Sequence, residues 1–427
     1  MIYDMDPEMP PATPSSRVAV IGGGIVGATI ALALLDRGHR VTVYDADAMG
    51  QAASWGNAGH IAVEQVAPLA SPASLRGVPA RLWGRHGALS LPPAAVGTWL
   101  PFALRLIRAS RPRPFAHGRA ALSALMLDAM PAWHRLARRL EAPDLVIEDG
   151  HFIVWESAAS ARHGAQAWGA VHAPTAAFRP ADAGELERLA ALMGRAPAGA
   201  IRCLGSGRIA SHARLREGLR AAIATAGGDW RDASVRLERD GDGRCRVVGA
   251  AAHDLVVLAA GIGARPLAEA MGHTVPMVPE RGYHLHGAGA DWPADLPPVV
   301  FEDRSMIVTR FENGVRASSF VELAPVDRPA DPAKWAALHG HLRDLRLPFD
   351  AVHSTWMGAR PTLPDYLPAI GRSNRATNLI YAFGHQHLGL TLAPVTAGLV
   401  ADLAEGRAPA IDLSPFSLAR FEQGFWA

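Results

Sequence analysis

The chain has 427 residues, of which 49% are apolar and 19% charged. That is too long for one average domain and too apolar for disorder, so two domains around a sizeable core are expected. The net charge of +2 gives no basis for a nucleic-acid partner. Lys334 is the sole lysine and lies away from any cofactor motif, which counts against Schiff-base chemistry. Cys203 and Cys245 form neither a CxxC pair nor a zinc framework, and no metal is expected.

Taken in order, residues 1–14 contain acids and prolines but no apolar h-region, and are expected to be a disordered leader rather than a signal or transit peptide. No run of 18 apolar residues occurs, so no bilayer span is expected and a cytoplasmic location follows. Residues 18–21 are a β-branched apolar run, as in a strand buried on both faces of a parallel sheet. Gly22, Gly24 and Gly27 follow at the Gly-x-Gly-x-x-Gly spacing. The first permits the tight turn, the second lets backbone approach a pyrophosphate, and the third lets the helix pack on the strand. A helix beginning at Ile25 and Val26 and ending near Gly38 would present its free N–H groups and dipole to that pyrophosphate. The next strand, 41–44, ends at Asp45, a carboxylate placed to accept both hydroxyls of an adenosine ribose. These residues do not distinguish FAD from NAD.

Residues 51–60, Gln51-Ala-Ala-Ser-Trp-Gly-Asn-Ala-Gly-His60, form a loop of small residues. In it Ser54 and Asn57 could bond phosphate oxygens, and Ala58 and Gly59 could add N–H groups. Prolines and glycines then interrupt residues 68–114, marking a departure from the nucleotide domain. Residues 94–110 carry apolar residues beside Arg105 and Arg108. They fit a core helix with a basic flank, or an interfacial helix that snorkels its arginines. A single helix is predicted over 120–141, a strand over 148–156, and a helix over 211–226. Residues 234–248 alternate around Asp240-Gly-Asp-Gly243 as a hairpin, with Val235 near its start. Residues 253–263 give a second buried strand, ending at Ala260 and Gly261; a simple NAD domain has no need of it, whereas a longer cofactor does. In the strand 276–286, alternation puts Tyr283 on one face with Leu285, and His284 with His286 on the other. Antiparallel strands over 299–322 and a helix over 333–345 complete the middle of the chain.

From Trp356 the chain reads Trp-Met-Gly-Ala-Arg-Pro, and from Asn378 it reads Asn-Leu-Ile-Tyr-Ala-Phe-Gly-His-Gln-His-Leu-Gly-Leu-Thr, before a small-residue helix over 395–403. Three blocks, residues 17–60, 253–263 and 356–403, resemble the FAD-dependent D-amino-acid oxidase and dehydrogenase superfamily, most closely its bacterial D-amino-acid dehydrogenase branch. The resemblance implies an α/β fold. It implies a discontinuous Rossmann-like FAD domain over 15–70, 205–265 and 355–415, and an interleaved α+β substrate domain with an antiparallel sheet over 71–204 and 266–354. It implies that Arg360 grips the substrate carboxylate, and that Gly384, His385, Gly389, Leu390 and Thr391 run along the flavin. Tyr283 and His387 are expected to shape the catalytic pocket. Glycine-oxidase-type members carry a second arginine where this chain has His387. Efficient oxygen users of the sarcosine-oxidase branch place a lysine over the flavin, but Lys334 lies outside all three blocks, which favours a dehydrogenase.

The expected reaction is oxidative deamination of a D-amino acid, with D-proline or hydroxy-D-proline as the sharper expectation. Two other readings fit the same residues: an FAD-dependent 2-hydroxyacid dehydrogenase, and a non-catalytic flavin-binding subunit of a larger dehydrogenase. The electron acceptor, whether a quinone or an electron-transfer partner, stays open, as does a peripheral contact with the inner face of the cytoplasmic membrane through the Trp99 region.

Overall fold

A computed structural model describes residues 15–422 apart from 48, 85 and 350; the leader 1–14 lies outside the described residues. Strand β1 (Arg17–Ile21), helix α1 (Ile25–Asp36) and strand β2 (Arg40–Asp45) form the expected unit. Alternation along β1 decides the layers around it. Val18 and Val20 point into one core with the buried face of α1, whereas Ala19 and Ile21 point into a second core with Leu237, Val256 and Tyr381. A strand with both faces covered cannot show a polar alternation, which is why its apolar run is continuous.

The first sheet has six strands. Asp229–Asp232, β2, β1, Leu255–Leu258 and Leu379–Phe383 run parallel, and Ala369–Arg372 closes the edge antiparallel. A second, nine-stranded sheet is mixed rather than purely antiparallel. Its centre, formed by Val352–Thr362, Val278–Gly287, Gly314–Leu323 and Met306–Phe311, is antiparallel. Val299–Phe301 pairs parallel with His151–Trp155, and Leu89–Ser90 pairs parallel with Gly314–Leu323. A small sheet of His60–Ile61, Gly207–Ile209 and Val146–Ile147 adds a third.

Several expectations shift. The helix predicted over 120–141 is two helices, Pro112–Met126 and Ala129–Arg139, because the ring of Pro131 excludes the carbonyl of Leu127 and breaks continuity there. Their buried residues Leu122, Leu125, Met126 and Trp133 join the core of β1 and α1, although their place in sequence lies within the expected substrate domain. The strand Val352–Thr362, whose C-terminal part was expected in the FAD domain, belongs to the large sheet. The helix Val96–Ala109 buries Phe102 and Ala109 but leaves Val96, Leu100, Leu104 and Ile107 exposed, so it is a surface helix rather than a core one.

The last helix starts at Gly389 rather than 395 and runs to Ala404. Pro394 lies within it and cannot donate to the carbonyl of Leu390. The Trp133 indole Nε1–H takes that carbonyl instead, at 3.0 Å. By length and apolar content the segment Gln386–Ala404 could cross a bilayer, yet its residues Leu392, Leu399 and Val400 are buried in the protein core.

Candidate active site

A cavity of about 1200 Å³ lies among these elements and is lined by residues of all three blocks. At one end are Gly22, Gly24, Ile25, Val26, Asp45, Ser54, Asn57 and Ala58, joined by Val235, Ala260 and Gly261. At the other are Tyr283, Arg360, Gly384, His385, His387, Gly389 and Leu390. Gly27, Gly59 and Thr391 do not line it.

The nucleotide end is built by backbone. Gly22 sits at φ +103°, and a Cβ there would lie 2.6 Å from the Ala259 carbonyl oxygen, so the turn admits glycine only. A Cβ on Gly27 would collide with the Gly22 carbonyl oxygen, which is the helix–strand contact its spacing predicts. No side chain caps the start of α1 at Gly24; the Ile25 N–H donates to Ser54 Oγ at 3.0 Å. The residues therefore fit a dinucleotide, with an uncapped helix N-terminus, a hydroxyl and the buried carboxylate of Asp45 on one wall.

Asn57 lines the cavity and is also engaged within the loop, with one Nδ2 hydrogen left over. Its Nδ2 donates to the Ser54 carbonyl at 2.7 Å, and its Oδ1 accepts from the Gly59 N–H at 2.7 Å and from His212 Nε2 at 2.8 Å. It stiffens the loop. Gly59 fits under the Phe311 ring, where a Cβ would clash. Thr391 Oγ1 accepts from the Ala62 N–H at 2.9 Å, joining the loop to the last helix. His284 and His286 each direct a ring nitrogen at a backbone carbonyl, Gly56 at 2.8 Å and Asn313 at 3.2 Å. The His284 ring is also stacked on Trp356.

At the other end, two adjacent strands set Arg360 against Glu280. The two residues are register partners, and Arg360 Nη1 donates to Glu280 Oε1 at 2.9 Å and to the Phe320 carbonyl at 3.3 Å. The guanidinium lies across Gly282, where any Cβ would collide with it. Glu280 Oε2 accepts from the Tyr366 hydroxyl at 2.9 Å and from Thr362 Oγ1 at 3.2 Å. Burial pushes the Glu280 carboxyl up, but Arg360, His387 and the Tyr366 hydroxyl together hold it below its ordinary value. Arg360 Nε and Nη2 have no acceptor among the described residues, so half of the fork remains for a carboxylate.

Backbone strain surrounds this pair. Phe320, Tyr366 and Gln386 adopt φ of +70°, +56° and +43°, and such left-handed non-glycine residues gather at sites the fold over-determines. Gln386 Nε2 donates to the Tyr366 carbonyl at 2.9 Å, and the His387 N–H donates to Gln386 Oε1 at 3.0 Å. His387 Nε2 bonds Gln65 Oε1. Burial pulls the His387 imidazole down to about 4, against the partial support of Glu280, so it is neutral near pH 7. His385 Nε2 contacts Thr396 Oγ1 at 3.1 Å, and burial pulls it down to about 3.

The Tyr283 hydroxyl donates to Glu322 Oε2 at 2.6 Å and accepts from the Asp331 N–H at 3.2 Å, and the Tyr283 ring packs on Trp335 and Phe320. Burial pushes its phenol up to about 12. Glu280, Gly282, Tyr283 and His284 all line the cavity, and the strand pairing is irregular between Arg281 and Tyr283. Sequence reasoning missed Glu280, although its place in that strand was the available signal. It also missed Tyr366, Gln65, His60, Glu64 and His151, which no motif marks. Lys334 Nζ stands over the Phe320 ring at 5.2 Å and does not line the cavity.

A dinucleotide crevice continuous with an arginine-bearing pocket defines a nucleotide-dependent oxidoreductase. Residues 17–403 match the family model described as DAO, FAD dependent oxidoreductase. The chain is 32% identical to a D-amino-acid oxidase of Bradyrhizobium diazoefficiens, covering 95% of this chain and 99% of that one. It is 30% identical to D-amino acid dehydrogenase 2 of Ralstonia nicotianae, covering 95% and 100%. Among solved structures, glycine oxidase of Geobacillus kaustophilus superposes with a TM-score of 0.68 at 25% identity, covering 95% and 99%. Iminodiacetate oxidase of Chelativorans sp. BNC1 superposes with a TM-score of 0.70 at 19% identity, covering 94% and 98%, a likeness of fold. The chain belongs to the DAO family of FAD-dependent oxidoreductases, whose members include amino-acid oxidases and dehydrogenases.

Proposed function

We propose that this protein is a D-amino-acid dehydrogenase and that Arg360 binds the substrate carboxylate. The observation that carries this reading is the half-committed guanidinium of a cavity-lining residue: Nη1 is fixed by the buried Glu280 and the Phe320 carbonyl, while Nε and Nη2 have no acceptor among the described residues. A fork held on one side is orientated before the ligand arrives, so little entropy is lost on forming the second pair of bonds.

When bound, FAD would accept the hydride from the substrate Cα. Everything else falls to the chain. Gly22, Gly24, Ser54 and Asp45 would hold the dinucleotide, with Val235, Ala260 and Gly261 at its adenosine end. Gly384, His385, Gly389 and Leu390 would lie along the ring, where the N-terminus of the last helix stabilises developing negative charge. Arg360 would fix the acid so that one Cα face is presented. Water then hydrolyses the imino acid.

Names of curated relatives favour the D enantiomer. The neutral His387–Gln65 pair suits an uncharged or cyclic side chain, with D-proline or hydroxy-D-proline as the sharper assignment, since an imidazole can receive a ring hydroxyl. The absence of lysine from the cavity lining favours an acceptor other than oxygen, a quinone or an electron-transfer partner. The protein would work in the cytoplasm, with the exposed Val96, Leu100, Leu104 and Ile107 stripe as a peripheral membrane contact that liposome co-sedimentation tests. The decisive experiment for the activity is anaerobic addition of a D- and L-amino-acid panel to the yellow protein. Bleaching of the flavin band by neutral D-amino acids is expected, and its absence with all of them, or a preference for glycine or D-aspartate, overturns the reading.

A further inference from the structure

On the wall of the same cavity, separate pieces of chain bring two imidazoles and a carboxylate together. His60 stands in the short strand His60–Ile61, Glu64 follows four residues later, and His151 opens the strand His151–Trp155. One ligand atom from each lies within 4.8 Å of the others, and the His60 and His151 rings meet edge to face at 4.6 Å. Glu64 and His151 are 3% and 1% exposed.

Outer contacts hold both rings by Nδ1. His60 Nδ1 is 3.1 Å from the Gly207 carbonyl oxygen, which can only accept, so Nδ1 carries a hydrogen. His151 Nδ1 is 2.8 Å from Ser206 Oγ, a hydroxyl that can donate to it or accept from it. The Nε2 atom of each ring is left for the cluster. His60 Nε2 lies 3.1 Å from Glu64 Oε1, a distance at which a bare lone pair facing a carboxylate is repulsive. A proton or a metal ion must sit between them. Independently, Glu64 Oε2 is buried with no hydrogen-bond partner. An orphaned carboxylate oxygen in the interior is costly, and a cation in the cluster would relieve it.

We propose that His60 Nε2, His151 Nε2 and the Glu64 carboxylate bind a divalent first-row transition ion of the zinc class, with a cavity-side position completed by water or by an oxygen donor of the substrate. Two imidazoles and a carboxylate suit such an ion rather than magnesium or calcium. Histidine ligands whose far ring nitrogen is held by a backbone carbonyl and a serine hydroxyl are the usual outer support of a metal centre. His60 Nε2 and Glu64 Oε1, 3.1 Å apart, can share one ion at bonds of roughly 2.0–2.2 Å, and the other separations, all within 4.8 Å, close by side-chain rotation.

The test uses the full FAD-loaded chain, stripped with a chelator, dialysed, and re-titrated with Zn²⁺ or with Co²⁺ as a spectroscopic probe. Elemental analysis after gel filtration is expected to show one ion per chain, with a high-spin cobalt signal by electron paramagnetic resonance. Glu64→Gln and His151→Gln are expected to lose the ion while retaining FAD. Should those variants fail to fold, Ser206→Ala leaves all three ligands in place and is expected to weaken zinc binding about 10–100-fold. A wild-type chain that retains no stoichiometric ion, ligand variants that fold and bind it as tightly as before, or an unchanged affinity in Ser206→Ala would overturn the proposal.

Discussion

Replacing Arg360 by alanine should have two separable consequences, because the same side chain holds a ligand position and balances a buried carboxylate. Truncating one partner of a buried pair costs about 3–5 kcal/mol. Here Arg360 is 26% exposed and Glu280 keeps the hydroxyls of Tyr366 and Thr362, so a stability loss of about 2–3 kcal/mol is expected. The catalytic loss is separate. An unpaired substrate carboxylate in a water-poor cavity loses about 2–5 kcal/mol in kcat/KM, or roughly 30-fold to 5,000-fold. Steady-state kinetics with an artificial electron acceptor, run well below the variant's Tm, reads the second effect without the first. Arg360→Lys should recover part of the stability and little of kcat/KM, since an ammonium offers a charge without the fork.

The stability arm has a pH signature. Glu280 has a depressed carboxyl pKa in the folded chain, so its contribution is present above the unfolded pKa and is lost as pH falls through the folded one. Without Arg360, burial dominates and the sign reverses. The gap in Tm between wild type and Arg360→Ala should therefore be widest near neutral pH and close as carboxylates protonate. Turnover of a D-amino acid within about threefold of wild type, against the decades expected, would refute the carboxylate role. A Tm gap that is flat in pH would refute the pairing with Glu280.

Two further outcomes follow from side-chain placement. Tyr283→Phe should lower stability by about 1–3 kcal/mol, because it takes one hydrogen bond from the buried Glu322 carboxylate, which keeps Arg281 at 3.5 Å, and removes the acceptor of the Asp331 N–H; kcat/KM should change little, and a collapse of kcat in well-folded protein would place Tyr283 in the chemistry. Burial pulls His284, His385, His341 and His387 down to about 3, 3, 4 and 4. Depressed histidines take up protons on unfolding, so stability should be full above about pH 6.5 and fall between there and pH 4, at about 1.4 kcal/mol per pH unit for each histidine. Chemical unfolding at several pH values measures that slope, and His385→Asn should reduce it.

The nucleotide half of the site was legible because its chemistry is local. Gly22, Gly24, Gly27 and Asp45 do their work within one strand–turn–helix–strand unit, and a local pattern survives in sequence. Arg360 was legible by resemblance, but its counter-ion was not: Glu280 lies 80 residues away and becomes its neighbour only through strand register. Tyr283 lines the cavity as its strand predicts, but the commitment of its hydroxyl to Glu322 and Asp331 depends on segments that are distant in sequence. The start of the last helix was misplaced because Pro394 reads as a stop, and the compensating donor, Trp133, is 257 residues distant in sequence from Leu390. Left-handed backbone at Phe320, Tyr366 and Gln386 has no signature in those residue types, all of which normally avoid it.

Charge balance across the cavity bears on which acid the site accepts. Arg360 and Glu280 cancel, and the neutral His387 supplies no second cation. A zwitterionic amino acid brings its own ammonium and adds no net charge to the Arg360–Glu280 pair. A 2-hydroxyacid brings a carboxylate alone, and one uncompensated negative charge would then face Glu280 in a medium where like charges repel far more than in water. The same arginine that would grip either acid would, on the proposed reading, favour through its partner the ligand that is itself a pair.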